Sequence, residues 1–470
     1  MNGQVLASRS ASAHEHITLL TWFSCAMAAT SGLLFGMDVG IISGAIGFIH
    51  RDFAMSTLME GWIVGSLLAG AAIGALVASA LSNALGRKKA LLLSSGLFFI
   101  GALLAVIAWS ANALVLARLL LGIAVGVESF VVPIYLSEIA PHRIRGSAIS
   151  CYQLMITVGI LVAYLSNLGF SYIGNWRWMF GVLMIPATLL TLGTLLIPDS
   201  PRWMAAKGRF KDAEKVLKRL RSSDAAAQQE LSDIRSNLMS ETASRGWRLF
   251  NLNRNFRRSV ALGIAIQAAQ QFTGINVMIY FAPRIFELAN FHGTAAQLWS
   301  TVAVGVVNVL ATVIAVTFVD RWGRKPILFT GFAIMAVSMA ALSLVLTLGA
   351  TNVALQGVAM ISLLTFIGGF AMSAGPLAWT LCSEIQPQAG RDFGIGCSTI
   401  SNWISNMLVG TFFLTVLEAL GGPATFALLA IANALFVFFT FLLIPETKGV
   451  TLEDIEHRLM NGSPLRQLGR

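Results

Sequence analysis

Charge is scarce in this chain. Asp, Glu, Lys and Arg make up 11% of its 470 residues, against about 25% in a soluble domain, so a soluble enzyme or binding module is excluded first. Cysteine is scarce too. Cys25, Cys151, Cys382 and Cys397 fall inside apolar stretches or at their edges, with neither metal-ligand spacing nor a disulfide framework. They read as small packing residues, and no metal site is assigned. The six histidines are scattered and no Ser/His/Asp arrangement is present, so no catalytic residue is named, no cofactor is expected and the chain is not read as an enzyme. The glycine-rich stretches Gly65–Gly74 and Gly122–Gly126 lack a Lys-Ser/Thr ending and a preceding strand, which excludes a phosphate loop and leaves close helix packing. Runs such as Leu91 to Trp109 do not alternate in polarity, which excludes a membrane β-barrel. No cleavable signal is expected, because the first apolar run is too long and many more follow it.

What is abundant is apolar length. Hydrophobic residues make up 56% of the chain, and a helix crosses a bilayer with about 20 of them in a row. Twelve such runs are read near 17–42, 60–80, 90–109, 113–136, 147–168, 178–197, 258–282, 298–319, 326–348, 354–380, 394–416 and 424–444. The expected fold is therefore an all-α membrane protein of twelve spans. Its lipid partner is the bilayer itself.

The net charge of +10 is a matter of topology. Three Lys/Arg lie at Gly86–Lys89, two at His142–Arg145, fourteen between Arg202 and Arg258, three after Asp320, one at Arg391 and four in the C-terminal tail. If the spans alternate, all of these share the side of the N-terminus. The opposite side holds Arg51, Arg177 and Arg284. Excess Lys/Arg marks the cytoplasmic face. Both termini are expected in the cytoplasm, and nucleic acid is not a partner.

The chain also repeats itself. Gly86-Arg87-Lys88-Lys89 and Gly323-Arg324-Lys325-Pro326 stand 237 residues apart. Ser137-Glu138-Ile139-Ala140-Pro141 and Ser383-Glu384-Ile385-Gln386-Pro387 stand 246 apart, as do Arg145 and Arg391. Pro198-Asp199 and Pro445-Glu446 stand 247 apart. Matching motifs at matching span ends predict two pseudo-symmetric six-helix bundles, a common transporter plan with its site between the repeats. The expected divisions are a tail over 1–16, a first bundle over 17–198, a cytoplasmic helical linker over 199–257, a second bundle over 258–445 and a tail over 446–470. Within the linker, Ala213, Val216, Leu217 and Leu220 keep helical spacing, as do Leu231, Ile234 and Leu238. Short amphipathic helices are expected there, with a flexible linker as the alternative.

Three charges lie well inside spans: Asp38, Arg118 and Glu128. Each costs roughly 2.5–3.5 kcal/mol to insert, so each calls for a reason. A carboxyl whose surroundings alternate between desolvated and cation-paired can take up a proton on one side and release it on the other. That makes Asp38 the candidate proton carrier and Arg118, always protonated, its counter-ion. A static buried ion pair is the alternative, though such pairs are weak aids to stability. Glu128 reads either as a second titrating group or as a residue facing an aqueous vestibule. Span 7 carries amides instead. Gln270, Gln271, Asn276 and Tyr280 crowd it, and amides both donate to and accept from hydroxyl groups. Asn276 and Tyr280 share a face at i, i+4. The two glutamines join that face only if Gly274 breaks the helix, as helices often do at transporter sites. Buried amides can also simply bind helices together.

Seven motifs in order resemble the sugar porter branch of the major facilitator superfamily. They are Gly32-Leu33-Leu34-Phe35-Gly36-Met37-Asp38, Gly86 to Lys89, Leu136 to Pro141 with Arg145-Gly146, Pro198-Asp199-Ser200-Pro201-Arg202, Gln270-Gln271-Phe272-Thr273-Gly274-Ile275-Asn276, Asp320-Arg321-Trp322-Gly323-Arg324-Lys325, and Pro445-Glu446-Thr447-Lys448. Within that branch the chain is most similar to bacterial galactose:proton and arabinose:proton symporters. The resemblance implies a monomer of the bacterial inner membrane that imports a monosaccharide with a proton by alternating access. A passive uniporter of the same fold is the alternative, disfavoured by Asp38. It implies the Asp38–Arg118 pairing, and it adds Phe35, Gln153, Asn308, Trp379, Asn402 and Trp403 to the sugar site. It also implies that Arg87, Glu138, Arg145, Arg324, Glu384 and Arg391 form salt bridges between helices that close the cytoplasmic gate and break when it opens. Two departures stand out. Asn83 occupies the position of an acid in the first-half motif, and Glu128 the position of a small residue.

Overall fold

The computed structural model describes residues 16–141, 143–240, 246–450 and 452–469; within these, Asn237, Met239, Ser240, Val316, Phe318, Val319, Asp320, Arg321, Ala389 and Glu453 are described as backbone only. Most of the expected N-terminal tail and His142 therefore lie outside the described residues. Every element among those described is helical. Ten helices are long and apolar enough to cross a membrane, and two sequence features bring the count to twelve spans. The helix Arg391–Leu443 is two spans joined at Gly421, whose φ of 77° turns the chain. Span 7 is cut into Arg254–Phe272, Ile275–Tyr280 and Ala282–Leu288, none of which qualifies alone.

Spans 1 to 6 are Leu19–Phe53, Thr57–Leu85, Arg87–Val106, Ala111–Ile139, Arg145–Ser171 and Trp176–Leu196. Spans 8 to 10 are Thr294–Trp322, Arg324–Thr347 and Val353–Glu384, the last broken at Ser373. Several helices outrun their apolar runs. Span 1 reaches Phe53, stopped by Ala54 in the left-handed region at φ 43°, because backbone hydrogen bonding continues past the apolar stretch once it has begun. Exposed apolar side chains, among them Leu76, Leu116, Leu192, Leu310 and Phe438, coat the outer surface, as lipid-facing helices require. Trp62, Trp109, Trp178 and Trp299 are exposed at one end of the spans, and Trp22, Trp247 and Trp322 at the other. This is the double aromatic belt of a membrane protein.

The repeat has a structural counterpart at the end of the molecule that carries the termini. Gly86 and Gly323 both adopt φ 92°, a conformation that favours glycine, and turn the chain into spans 3 and 9. The Asp199 carboxylate accepts the backbone N–H groups of Arg87 and Lys88 at 3.0 and 3.1 Å. The Glu446 carboxylate accepts those of Arg324 and Lys325, both at 3.0 Å. Each acid thus satisfies two orphan donors of a helix start and sits at the positive end of its dipole.

Between the halves, Phe210–Leu220 and Asp224–Ser240 realise the two amphipathic stripes. Ala213, Leu217, Ala227 and Ile234 are buried against Met204 and Ala205, with Val216, Leu231 and Leu238 packed around them. The insert docks on the first half. The Thr18 and Thr21 hydroxyls donate to the Leu220 carbonyl at 3.1 and 2.8 Å, and Arg221 donates to the Ile139 carbonyl at 3.0 Å. These described residues are a packed helical layer rather than a flexible linker.

Candidate functional site

Asp38 lies midway along span 1, where Gly36 and Gly40 let span 5 approach. A Cβ on Gly36 would overlap the Ile156 carbonyl, and the Asn167 amide donates to the Gly40 and Ile41 carbonyls, both at 3.1 Å. From span 4, Arg118 reaches Asp38 with a Nη1–Oδ1 distance of 2.9 Å, and both side chains are fully buried. Its Nε donates to the Ile63 carbonyl at 2.9 Å, and the guanidinium stands over the Phe180 ring at 5.7 Å. The pair is incompletely satisfied, since Asp38 Oδ2 and Arg118 Nη2 have no partner. A buried pair with spare capacity on both members is poised to change partners, which a purely structural salt bridge has no need to do.

The amides lie in the other half. Span 7 breaks at Gly274, φ 91°, and the break is held by Asn433, whose amide donates to the Thr273 carbonyl at 3.1 Å. The interruption brings both glutamines and Asn276 into one chain of hydrogen bonds. Asn402 of span 11 donates to Gln267 and Gln270 at 2.6 and 2.7 Å. Gln271 donates to Gln270 at 3.3 Å, and Asn276 donates to Gln271 at 2.5 Å. Gln270 also donates to the carbonyls of Ala374 and Gly375, at 2.8 and 3.1 Å, just past the Ser373 break where span 10 frees them. Tyr280 is buried with its hydroxyl 3.4 Å from Asn406.

Phe35 of span 1 meets Trp403 of span 11 at 5.7 Å between ring centroids, so the two bundles touch at the level of the site. Trp403 is buried with its indole N–H unpartnered, while Trp379 is 39% exposed. Gln153 is half-buried and Asn308 buried. The structure thus gathers Gln270, Gln271, Asn276 and Asn402 into one network, puts Phe35 with Trp403 and Tyr280 with Asn406, and describes no side-chain hydrogen bond for Gln153 or Asn308. Sequence reasoning missed Gln267 and Asn406. Both were signalled by spacing, Gln267 three residues before Gln270 and Asn406 four after Asn402, one helical turn in each case.

The two faces of the molecule differ. Away from the termini the halves are in close contact. A Cβ on Gly61 of span 2 would overlap the Thr411 carbonyl of span 11, and the Tyr164 hydroxyl donates to the Ile279 carbonyl at 3.0 Å. At the terminal face the two described ion pairs of the repeated motifs each stay inside one half: Arg87 with Glu138 at 2.9 Å and Arg324 with Glu384 at 3.1 Å. Arg391 donates to the Gln386 carbonyl at 3.4 Å. Asn83 Oδ1 stands 3.5 Å from Arg87 Nη1, a neutral substitute for an acid there. A cavity of about 570 Å³ opens at this face, lined by Glu138, Arg143, Arg145, Arg202, Arg221 and Glu230 among others.

Comparison with known proteins gives a consistent result. A family model described as "Sugar (and other) transporter" matches residues 24–459. The chain is 54% identical over 450 residues to the galactose-proton symporter of Escherichia coli strain K12, covering 96% of this chain and 97% of that protein. It is 48% identical over 453 residues to the arabinose-proton symporter of the same strain, covering 96% of each. Among solved structures, the partially occluded inward open conformation of the E. coli xylose transporter XylE matches with a TM-score of 0.81 and 28% identity, over 92% of this chain and all of that one.

Proposed function

The chain belongs to the sugar transporter family, a multi-pass membrane family, and from that premise we propose that it is a secondary active transporter importing a monosaccharide in symport with a proton. Two relatives covering nearly its whole length carry the names of galactose- and arabinose-proton symporters. The observation that carries the reading is the juxtaposition at mid-depth of an incompletely satisfied Asp38–Arg118 pair in one half and an amide network in the other, with Phe35 against Trp403 between them.

A monosaccharide offers several hydroxyls, each donor and acceptor, and the amides of Gln270, Gln271, Asn276 and Asn402 can exchange their mutual hydrogen bonds for bonds to it. Gln153, Asn308 and the Trp403 indole supply polar groups not committed elsewhere among the described hydrogen bonds, while Phe35, Trp379 and Tyr280 cover the apolar ring faces. Sugar binding pulls on spans 7, 10 and 11 of the second half. Proton binding to Asp38 releases Arg118 and loosens spans 1 and 4 of the first. Because the halves meet at the site, each event biases the same two-state packing, which is what coupling requires.

The Lys/Arg excess on the face bearing the termini supports a cytoplasmic assignment for that face. On that assignment the close contact of the halves at the opposite face fits an inward-open state, in which Arg87 pairs with Glu138 and Arg324 with Glu384 inside their own halves; these charges, with Arg145 and Arg391, would exchange partners across the halves as the gate closes. A uniporter has no use for the Asp38 carboxyl. Inner-membrane vesicles energised with a proton gradient and offered labelled galactose, glucose, arabinose and xylose test the reading. Accumulation that collapses with a protonophore is expected; equilibration without accumulation would overturn symport.

A further inference from the structure

Glu128 is used by none of the above. It lies in span 4, ten residues and so about 15 Å along the axis from Arg118 towards the terminal face, and is 1% exposed. The vestibule-facing alternative is therefore excluded in this conformation. Both of its carboxyl oxygens are buried and without a partner. Its surroundings are unusual for an acid. Span 3 presents Ser94, and the Ser94 hydroxyl already donates its proton to the Leu91 carbonyl at 2.9 Å. Ser94 can accept from a protonated Glu128 and keep that bond, whereas donating to a carboxylate would cost it the Leu91 carbonyl. Span 5 presents Tyr152, the one titratable group facing Glu128 among the described residues, a phenol that is neutral near neutral pH. Span 2 packs glycine-close through Ala71 and Gly126 and brings no charge into the interior, and the only interior charge of span 1 is Asp38. On its own helix the next charges are Arg118 and Glu138, each about 15 Å away. An isolated carboxylate here would be uncompensated, whereas a carboxylic acid has Ser94 as a ready acceptor.

We propose that Glu128 is a second proton-binding site of this chain, one that must be loaded for the bundle to adopt the conformation seen here. Tyr152 links it to the proposed coupling site. The Tyr152 ring packs against Gly32, six residues before Asp38 on span 1, and its neighbour in sequence is Gln153. An ionised Glu128 needs water or a donor, which this packing of spans 3, 4 and 5 withholds. Deprotonation therefore shifts the population away from the terminal-face-open state. The inference rests on the reading of the chain as a proton-coupled transporter, but its test needs neither sugar nor a gradient.

Gly146 and Gly396 lie in the first turns of spans 5 and 11, one in each half, and a Cβ at either meets nothing within 4 Å. Spin labels on Gly146→Cys and Gly396→Cys, in full-length protein with the four native cysteines changed to alanine, report the opening by distance measurement. From pH 6 to pH 9 the open population should fall several-fold. Glu128→Gln, an isostere that cannot ionise, should remain open throughout, and Glu128→Ala should match it, so a defect peculiar to one variant is recognisable. Asp38→Asn should keep the pH response. The proposal is overturned if the unsubstituted protein shows no response, if both Glu128 variants retain it, or if Asp38→Asn alone removes it. Proton symport itself stands or falls separately, on sugar-evoked pH changes in vesicles.

Discussion

The two halves agree at their ends and disagree in their middles. At the terminal face the second half copies the first: Gly323 repeats Gly86, Glu446 repeats Asp199 as the cap of a helix start, and Arg324–Glu384 repeats Arg87–Glu138. At mid-depth the first half keeps continuous helices and a buried ion pair, while the second has helices broken at Gly274 and Ser373 and a network of amides. On the proposed function, repeated ends would preserve the swing of one bundle against the other, and divergent middles would divide the labour between proton and sugar.

The sharpest way to break this comparison is Asp38→Asn, which keeps the shape and removes the titration. One proton falling through 100 mV supplies about 2.3 kcal/mol, enough at roughly 1.4 kcal/mol per tenfold for a gradient of about fifty-fold. The variant should lose that accumulation and the sugar-evoked alkalinisation outside, while sugar exchange down a gradient continues. A wild-type pH change on adding sugar would place the coupling elsewhere, with Glu128 the next candidate.

Gly61→Val attacks the closed face, where any Cβ meets the Thr411 carbonyl. Net uptake should fall at least tenfold with binding retained, because the halves can no longer meet there. Unimpaired uptake would mean that this contact is incidental to the cycle. On the sugar side, Gln270→Ala or Asn402→Ala should weaken binding several-fold, at about 0.5–1.5 kcal/mol per hydrogen bond lost, with proton release by Asp38 unaffected. Isothermal titration of purified protein measures this, and wild-type affinity in both variants would remove the amide network from the site.

The smallest effects test the repeat. Asp199→Asn and Glu446→Gln each weaken two capping hydrogen bonds and a helix-dipole interaction, worth about 0.3–2 kcal/mol, and should lower the thermal midpoint by similar amounts. A large loss from one and none from the other would show that the ends are not equivalent.

How far the sequence announced all this depends on the kind of residue. The spans, the repeat and the Asp38–Arg118 pair were legible because a charge in a bilayer and a helix-long apolar run each have few explanations. The break at Gly274 was legible from the phase of its neighbours. The break at Ser373 was not, since Ser-Ala-Gly-Pro reads as ordinary apolar helix until the Gln270 amide is seen holding its carbonyls. Asn406 escaped because a lone asparagine in an apolar helix is as well explained by helix association. The partners of the gate charges depend on the conformation, and a sequence encodes every conformation of the cycle at once.

The cap of span 3 also has a consequence for the order of synthesis. Its acid arrives 112 residues after the helix start it satisfies, at the last step of the first bundle and before any residue of the second has been made. Until Asp199 emerges from the ribosome, the start of span 3 has no acid to hold it. Once it does, this long-range contact of the first bundle can form while the second is still unmade. Glu446, 122 residues after the start of span 9, stands in the same relation to the second bundle, so each cap is among the last contacts its own half can make.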